Sequence, residues 1–237
     1  MDRQHLLIDA DDTLWENNIY FERAFDRFCA LLDHSTMTPD EVRAALDEIE
    51  IANNKIHGYG AHNFVRNLRQ CFEELVEHEP DRNHFEEIAS YAHYITSRPI
   101  ELLPGVVETL PLLAERHELT LFTKGNHDEQ RDKVVRSGIG VYFHHCEIVK
   151  EKNREAYLDL VNRRAFPKDR TWMIGNSPKS DINPALAAGL GAVFVPHERT
   201  WTLEREELAS NGRLLISDGF AGLSRIFTTS AVHLSMD

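Results

Sequence analysis

The stretch His5-Leu6-Leu7-Ile8-Asp9-Ala10-Asp11-Asp12-Thr13-Leu14 decides the fold. A short continuous apolar run stops abruptly in three carboxylates. Such a run fits a strand buried on both faces, as in a parallel sheet, because a half-exposed strand alternates. Runs of the same type recur at Leu119–Thr123, Cys146–Val149, Thr171–Ile174, Ala192–Val195 and Leu214–Ile216. Helical or turn stretches separate them, among them Val106–Arg116, Glu129–Ser137, Arg154–Ala165 and Asn183–Ala188. This alternation predicts an α/β fold with a doubly wound parallel sheet.

Between the first strand and the rest the texture changes. From Trp15 to about Arg98 only helical periodicity appears. Phe21, Phe25, Phe28 and Leu32 form one stripe, and Val42, Leu46 and Ile49 follow a capping box at Thr38-Pro39-Asp40-Glu41. Phe64, Leu68, Cys71/Phe72 and Leu75 form a third stripe, and Phe85, Ile88, Ala92 and Ile95 a fourth. Four amphipathic helices in succession predict a small bundle inserted into the α/β domain. The expected division is therefore a core of 1–14 plus 100–237 and a helical domain of 15–99. Residues 15–100 carry 8 basic and 16 acidic side chains, so the insert is the more acidic part.

The whole chain has 237 residues, 26 Lys+Arg against 39 Asp+Glu, and a formal charge of −13. That balance, without any clustered basic run, argues against a nucleic-acid partner, which needs grouped Lys and Arg. Stretches such as Leu102–Ala114 and Gly189–Pro196 fall short of the ~20 apolar residues of a membrane span. The opening Met1-Asp2-Arg3-Gln4-His5 lacks the basic and apolar regions of a secretory signal. Cys29, Cys71 and Cys146 are odd in number and scattered, without CxxC spacing. A reduced, cytoplasmic protein is expected, with a loosely ordered tail over Thr228–Asp237 and its oligomeric state open.

Ligands of an open α/β sheet bind beyond the carboxyl ends of its strands. Four polar clusters follow the predicted strands. Asp9 and Asp11 leave the first strand together. Two such carboxylates repel unless a proton or cation lies between them, and a hard divalent ion, Mg²⁺ first, meets that need. Acids at a helix start also suit the helix dipole, so this cluster alone leaves both readings open. An EF-hand is excluded, because Leu14 and Tyr20 stand where its loop needs Gly and Glu. Thr123-Lys124-Gly125-Asn126 ends a strand and opens a helix. Its hydroxyl and backbone N–H groups suit an anion such as phosphate, and equally an ordinary capped helix. Lys150-Glu151-Lys152 follows the third strand, and Gly175-Asn176-Ser177-Pro178-Lys179-Ser180-Asp181 the fourth.

Asp-x-Asp-x-Thr-Leu, a strand ending in Thr-Lys-Gly-Asn, then Glu-Lys, then Ile-Gly-Asn-Ser-x-x-x-Asp, in this order, resembles the haloacid dehalogenase superfamily over residues 5 to about 200. The helical insert lies where that family places a cap domain. The resemblance implies a Rossmann-like core, a helical cap between the first two motifs and Mg²⁺-dependent hydrolysis of small phosphate monoesters. It implies Asp9 as the nucleophile and Asp11 as the acid and base, with the Asp11 main-chain oxygen on the metal. Thr123 and the amides of Lys124, Gly125 and Asn126 would hold the phosphoryl oxygens. Lys152, favoured over Lys150 by the spacing to Tyr157, would orient Asp9, and Asn176 and Asp181 would complete a metal site with Asp9 and Asp11.

Two positions depart from the family's common text. Asp12 stands where Gly is frequent, and Asn176 where Asp is usual, which removes one negative charge from the metal site. The metal-independent 2-haloacid dehalogenases of the superfamily similarly carry Asn there. They lack an acid two residues after the nucleophile, however, and Asp11 is such an acid. Phosphatase is therefore the reading, with dehalogenase and a non-catalytic binding protein on the same fold as alternatives. His144-His145-Cys146 is read as a loop rather than a metal site. Trp15, Asn17, Arg66, Arg69 and the His57–Gly60 loop fall in the cap region, which in such enzymes supplies substrate contacts; Arg66 and Arg69 are read as a solvated helix face rather than as contacts to an anionic substrate.

Overall fold

The computed structural model describes residues 2–209 and 212–228 of the chain. Beyond Thr228, the tail expected to be loosely ordered lies outside the described residues. In chain order the elements are β1 (His5–Ile8), α1 (Asn18–Leu32), α2 (Pro39–His57), α3 (Ala61–Leu75) and α4 (Arg82–Thr96). Then follow α5 (Val106–Arg116), β2 (Glu118–Lys124), α6 (His127–Ser137), β3 (His145–Val149), α7 (Arg154–Arg164) and β4 (Thr171–Gly175). The described chain ends with α8 (Asn183–Ala187), β5 (Gly191–Phe194), β6 (Leu214–Ile216) and α9 (Leu223–Phe227). Two compact units result. One comprises Met1–Glu16, Ile100–Lys124 and Gln130–Asp237, the other Asn17–Pro99 with Gly125–Glu129.

The first unit is built on a six-stranded parallel sheet of order β3-β2-β1-β4-β5-β6. β1 is central, with Ile8 in register with Leu121 on one side and Ile174 on the other. Its continuous apolar run is explained by burial on both faces. Leu6 and Ile8 pack with Val106, Leu110 and Leu113 of α5, whereas Leu7 faces Tyr157, Leu160 and Val161 of α7. Each fully buried Leu or Ile contributes roughly 1.5–3 kcal/mol. Because the chain crosses to β2 on one side of β1 and to β4 on the other, the strand order reverses at β1. A crevice therefore opens beyond Ile8 and Ile174.

β3 begins one residue earlier than the apolar run suggested. His145 and Cys146 lie in the strand, and the His144 ring extends the ladder by accepting the Leu119 N–H at 3.2 Å. The loop reading thus holds only for His144. Trp15 also differs from expectation, being fully buried in the first unit's core rather than part of the helical region. Cys29, Cys71 and Cys146 are free thiols. No helix among the described residues is long and apolar enough to cross a membrane.

The second unit encloses a separate core, in which Phe25, Phe28 and Leu32 of α1 meet Leu46, Leu68, Phe72 and Ile88. The Thr38 hydroxyl accepts the Glu41 N–H while the Glu41 carboxylate accepts the Thr38 N–H at 2.8 Å, the reciprocal capping that the sequence predicts. Arg69 pairs with Glu73 at 3.0 Å, and Arg66 lies against the His57 ring at 3.2 Å. Glu50 is buried in this unit and its Oε2 has no hydrogen-bond partner.

Burial pushes the Glu50 carboxyl up to about 7, against the pull of Arg43 and with the help of Asp47. Its folded value lies above its unfolded one, so the native state keeps a proton that the unfolded chain releases. The stability linked to Glu50 is complete below pH ~4.5 and is lost as pH rises towards 7. Glu50→Gln is expected to stabilise the protein by on the order of 1–3 kcal/mol at pH 8 and hardly at all at pH 4.5. Urea unfolding at the two pH values checks this; equal gains at both would contradict it.

Candidate active site

Asp9 leaves β1 at the strand-order reversal, its N–H donating to the Ile174 carbonyl at 2.9 Å. That bond continues the β1–β4 ladder by one residue and fixes where the carboxylate emerges. Asp9 Oδ1 accepts from Lys152 Nζ at 2.5 Å, and Asp9 Oδ2 accepts from the Thr13 hydroxyl at 3.2 Å. Lys152 also donates to Asp181 Oδ1 at 2.5 Å and reaches the Phe122 carbonyl at 3.4 Å. All three charged groups are buried, at 6 %, 3 % and 1 % exposure for Asp9, Lys152 and Asp181. Lys150 is exposed and takes no part.

Asp181 owes its position to an irregular turn. Pro178–Ile182 is one turn of π-helix, with both the Asp181 and Ile182 N–H groups donating to the Ser177 carbonyl. Such turns often occur at functional sites. The turn folds the Asp181 side chain back so that Oδ2 accepts the Ser177 N–H at 2.9 Å. This requires Gly175, because a methyl group there would overlap the Asp181 carboxylate. Tyr157 completes the support by donating to the Ser180 carbonyl at 2.8 Å.

Asn176 is linked to Asp9 through Thr13, whose hydroxyl also lies 3.3 Å from Asn176 Oδ1. The orientation of the amide follows from its other end. The Thr200 hydroxyl donates its hydrogen to the His197 carbonyl at 3.0 Å and therefore accepts from Asn176 Nδ2 at 2.9 Å. The amide oxygen is thereby turned towards Asp9. Asp12 has φ 60, a left-handed conformation that glycine takes freely and aspartate tolerates better than most residues, which accounts for the position's preference for glycine.

Asp11 is held elsewhere. Its carboxylate accepts from the Trp15 indole at 2.7 Å, from Gln130 at 2.8 Å, and from Lys133 Nζ at 2.8 Å on both oxygens. Burial disfavours its charge, yet Lys133, Gln130 and Trp15 more than reverse this and hold it below the usual carboxylate range. Thr123 is buried at the end of β2. The Lys124 ammonium turns to Glu204 Oε1 at 2.6 Å and the Ser180 hydroxyl at 2.8 Å. Gly125 and Asn126 fall in the second unit. Gly125 has φ 145, a region that favours glycine, and Asn126 caps α6 by accepting the Asp128 and Glu129 N–H groups. The Glu129 carboxylate does not close a capping box; it accepts the Ala61 N–H at the start of α3 instead.

Gln130, Lys133, Thr200 and Glu204 were not singled out from the sequence. Gln130 and Lys133 are three apart on a polar helix face, a spacing that also describes any solvated face. Thr200 and Glu204 lie in a segment without periodicity.

Electrostatics set what the site can do. Burial and the neighbouring Asp181 lift Asp9 above the ordinary carboxylate range, against the pull of Lys152. Burial likewise raises Asp181, again opposed by Lys152. Burial penalises the Lys152 charge, but Asp181 and Asp9 outweigh it and keep the ammonium protonated. Two acids share one lysine, so the group has capacity for one more positive charge. Asp9, Asp181 and Asn176 offer oxygen donors only, the set a hard divalent cation takes. Asp12, Glu16 and His197 also bring ligand-type atoms within 4.8 Å of one another. There His197 Nδ1 accepts the Arg199 N–H at 3.3 Å, and Nε2 lies 3.6 Å from Glu16.

A haloacid dehalogenase-like hydrolase family model matches residues 4–189, and the chain belongs to that family. It is 28 % identical over 126 residues to a glyceraldehyde 3-phosphate phosphatase of Methanothermobacter thermautotrophicus, covering 51 % of this chain. The match spans 55 % of that relative, about half its length. A haloacid dehalogenase-like hydrolase of Xanthomonas campestris superposes with a TM-score of 0.82 at 27 % identity, over 95 % of this chain and 94 % of the other. A 2-haloacid dehalogenase of Pseudomonas syringae shares the fold, at a TM-score of 0.62 and 18 % identity over 96 % and 99 % of the two chains.

Removing one partner of a buried ion group leaves the others uncompensated, at a cost of about 3–5 kcal/mol. Lys152→Met is expected to lose that much stability at neutral pH. Asp9→Asn combined with Lys152→Met should lose less than Lys152→Met alone, because one unpaired charge has gone with it. Chemical unfolding of Lys152→Met, Asp9→Asn and the double variant measures the coupling.

Proposed function

We propose that this hydrolase is a Mg²⁺-dependent phosphatase of small phosphate monoesters, working in the cytoplasm through an aspartyl phosphate on Asp9. The observation that carries the reading is the buried Asp9–Lys152–Asp181 group, with the oxygen of Asn176 turned towards it. Asp9 is fixed by one donor on each oxygen, so its carboxylate is oriented before a substrate arrives. It attacks phosphorus, the bond to the leaving oxygen breaks, and the phosphoryl group passes to Asp9. Lys152 holds the Asp9 plane and offsets charge as it builds. The Thr123 hydroxyl and the amides of Lys124, Gly125 and Asn126 are assigned the phosphoryl oxygens. Mg²⁺, held by Asp9, the Asp11 main-chain oxygen, Asn176 and Asp181, would neutralise phosphoryl charge. Asp11 is assigned the proton transfers, first to the leaving alcohol and then from water. Only the second matches the ionised state in which Trp15, Gln130 and Lys133 hold it. The inserted residues Asn17–Pro99 are assigned as the substrate-selecting cap. The phosphatase relative supports a phosphorylated metabolite as substrate.

Two observations favour a second reading, a metal-independent 2-haloacid dehalogenase. Asn176 replaces a carboxylate, and the Asp11 side chain is engaged away from Asp9. Hydrolysis of p-nitrophenyl phosphate with Mg²⁺ and with EDTA, beside chloride release from 2-chloropropionate, separates the two. The phosphatase reading expects phosphate release that EDTA stops; chloride release indifferent to EDTA would replace it with the dehalogenase.

Asp9→Asn is nearly isosteric and is expected to abolish turnover while the circular dichroism spectrum stays unchanged. Asn176→Asp is expected to tighten Mg²⁺ binding in calorimetry, since it restores a negative charge to the donor set. The fold accommodates it, because the Thr200 hydroxyl can turn its hydrogen to the new carboxylate. Unchanged Mg²⁺ affinity would remove Asn176 from the metal site.

A further inference from the structure

Glu204 lies in a 3₁₀ turn, Thr202–Glu204, outside the residues matched by the family model. It is 8 % exposed, and its two carboxylate oxygens serve two different strand ends. Oε1 accepts from Lys124, the last residue of β2, at 2.6 Å, and Oε2 accepts from the Ser177 hydroxyl, just after β4, at 2.6 Å. Ser177, having given its hydrogen to Glu204, accepts the Ser180 N–H on the same oxygen at 2.9 Å. Its own N–H holds Asp181. A continuous chain of hydrogen bonds therefore runs from Glu204 through Ser177 to Asp181, and on through Lys152 to Asp9.

Lys124 closes the other side. An ammonium has three hydrogens. Lys124 meets three acceptors: Glu204 at 2.6 Å, Ser180 at 2.8 Å and Glu151 at 3.4 Å. Its two short bonds go to protein acceptors, Glu204 and Ser180, although the residue's place in the Thr-Lys-Gly-Asn cluster suggests a phosphate. Lys124, Ser177 and Ser180 hold Glu204 ionised despite its burial.

We infer that Glu204 is a positioning residue for this site and that the Lys124 ammonium serves Glu204 rather than the substrate. Together they fix the separation between the β2 end, which carries Thr123, and the turn that carries Asp181. The inference rests on the phosphatase reading for its kinetic test and on Mg²⁺ binding for a test without turnover.

The experiment compares Glu204→Gln, Lys124→Met, Lys124→Arg and the double variant Glu204→Gln/Lys124→Met on p-nitrophenyl phosphate, with Mg²⁺ affinity measured by calorimetry. Each neutralising single variant is expected to lower kcat about tenfold with KM within about twofold, the signature of lost transition-state geometry rather than lost binding. The double variant should be no worse than either single, because both break one pair. Lys124→Arg should recover most of kcat, and Glu204→Gln should weaken Mg²⁺ several-fold through Ser177 and Asp181. A raised KM with unchanged kcat in Lys124→Met would instead make Lys124 a substrate ligand. A lower Tm with kcat, KM and Mg²⁺ affinity all unchanged would reduce the pair to a brace, and either result overturns the inference. A wild-type protein that binds Mg²⁺ but releases no phosphate defeats the phosphatase reading alone, and the calorimetry of Glu204→Gln still decides this one. A wild-type protein that binds no Mg²⁺ overturns both.

Discussion

The first unit depends on one buried ammonium. Lys152 joins Asp9, at the end of the central strand, to Asp181, in the turn after β4, and touches the Phe122 carbonyl of β2. Lys152 itself follows β3, so a single side chain ties together the carboxyl ends of four adjacent strands. Taking three charges out of water is costly, and a well-packed apolar group of the same size would often be as stable. Retaining the charges therefore points to their chemistry rather than to stability. Gly175 without a side chain, the π-helical turn at Pro178–Ile182 and the Tyr157 hydroxyl all make sense as means of bringing Asp181 to that ammonium.

The layers of the fold were legible in the sequence because burial leaves a one-dimensional trace. A strand covered on both faces must be apolar at every position, and Leu6, Leu7 and Ile8 are; a helix covered on one side must repeat near every fourth residue, and Phe21, Phe25, Phe28 and Leu32 do. Polar clusters at the strand ends marked the site for the same reason, since a sheet interrupts its apolar runs only where it meets solvent or ligand. Trp15 escaped this logic. It follows Thr13-Leu14 at the end of the first cluster and resembles the first residue of the helical region, yet its ring lies in the core and its indole N–H beside Asp11.

What the sequence did not disclose is which charges neutralise which. The partner of Asp11 is 122 residues away at Lys133, and that of Lys124 is 80 residues away at Glu204. No spacing rule connects such pairs, and Lys133 looks like a surface residue when read alone. Lys124 shows the consequence. Its position in a cluster suited to phosphate implies a substrate contact, whereas its two short bonds to Glu204 and Ser180 assign it to the protein. A residue's chemistry is set by the partners that reach it first.

The same reasoning bears on Asn176. With aspartate there, Thr13 would donate between two charged carboxylates, Asp9 and residue 176, while Asp181 and a single lysine completed the group. Asparagine removes one charge and keeps the oxygen, provided the amide is not flipped, and the bond from Nδ2 to Thr200 supplies that condition. Thr200 in turn is set by the His197 carbonyl. The loop after β5 thus does indirectly what a negative charge does directly in the family's common text: it presents an oxygen to the space beside Asp9. Asn176 and the Thr200–His197 arrangement act together, with hydrogen-bond geometry rather than charge turning an oxygen towards Asp9.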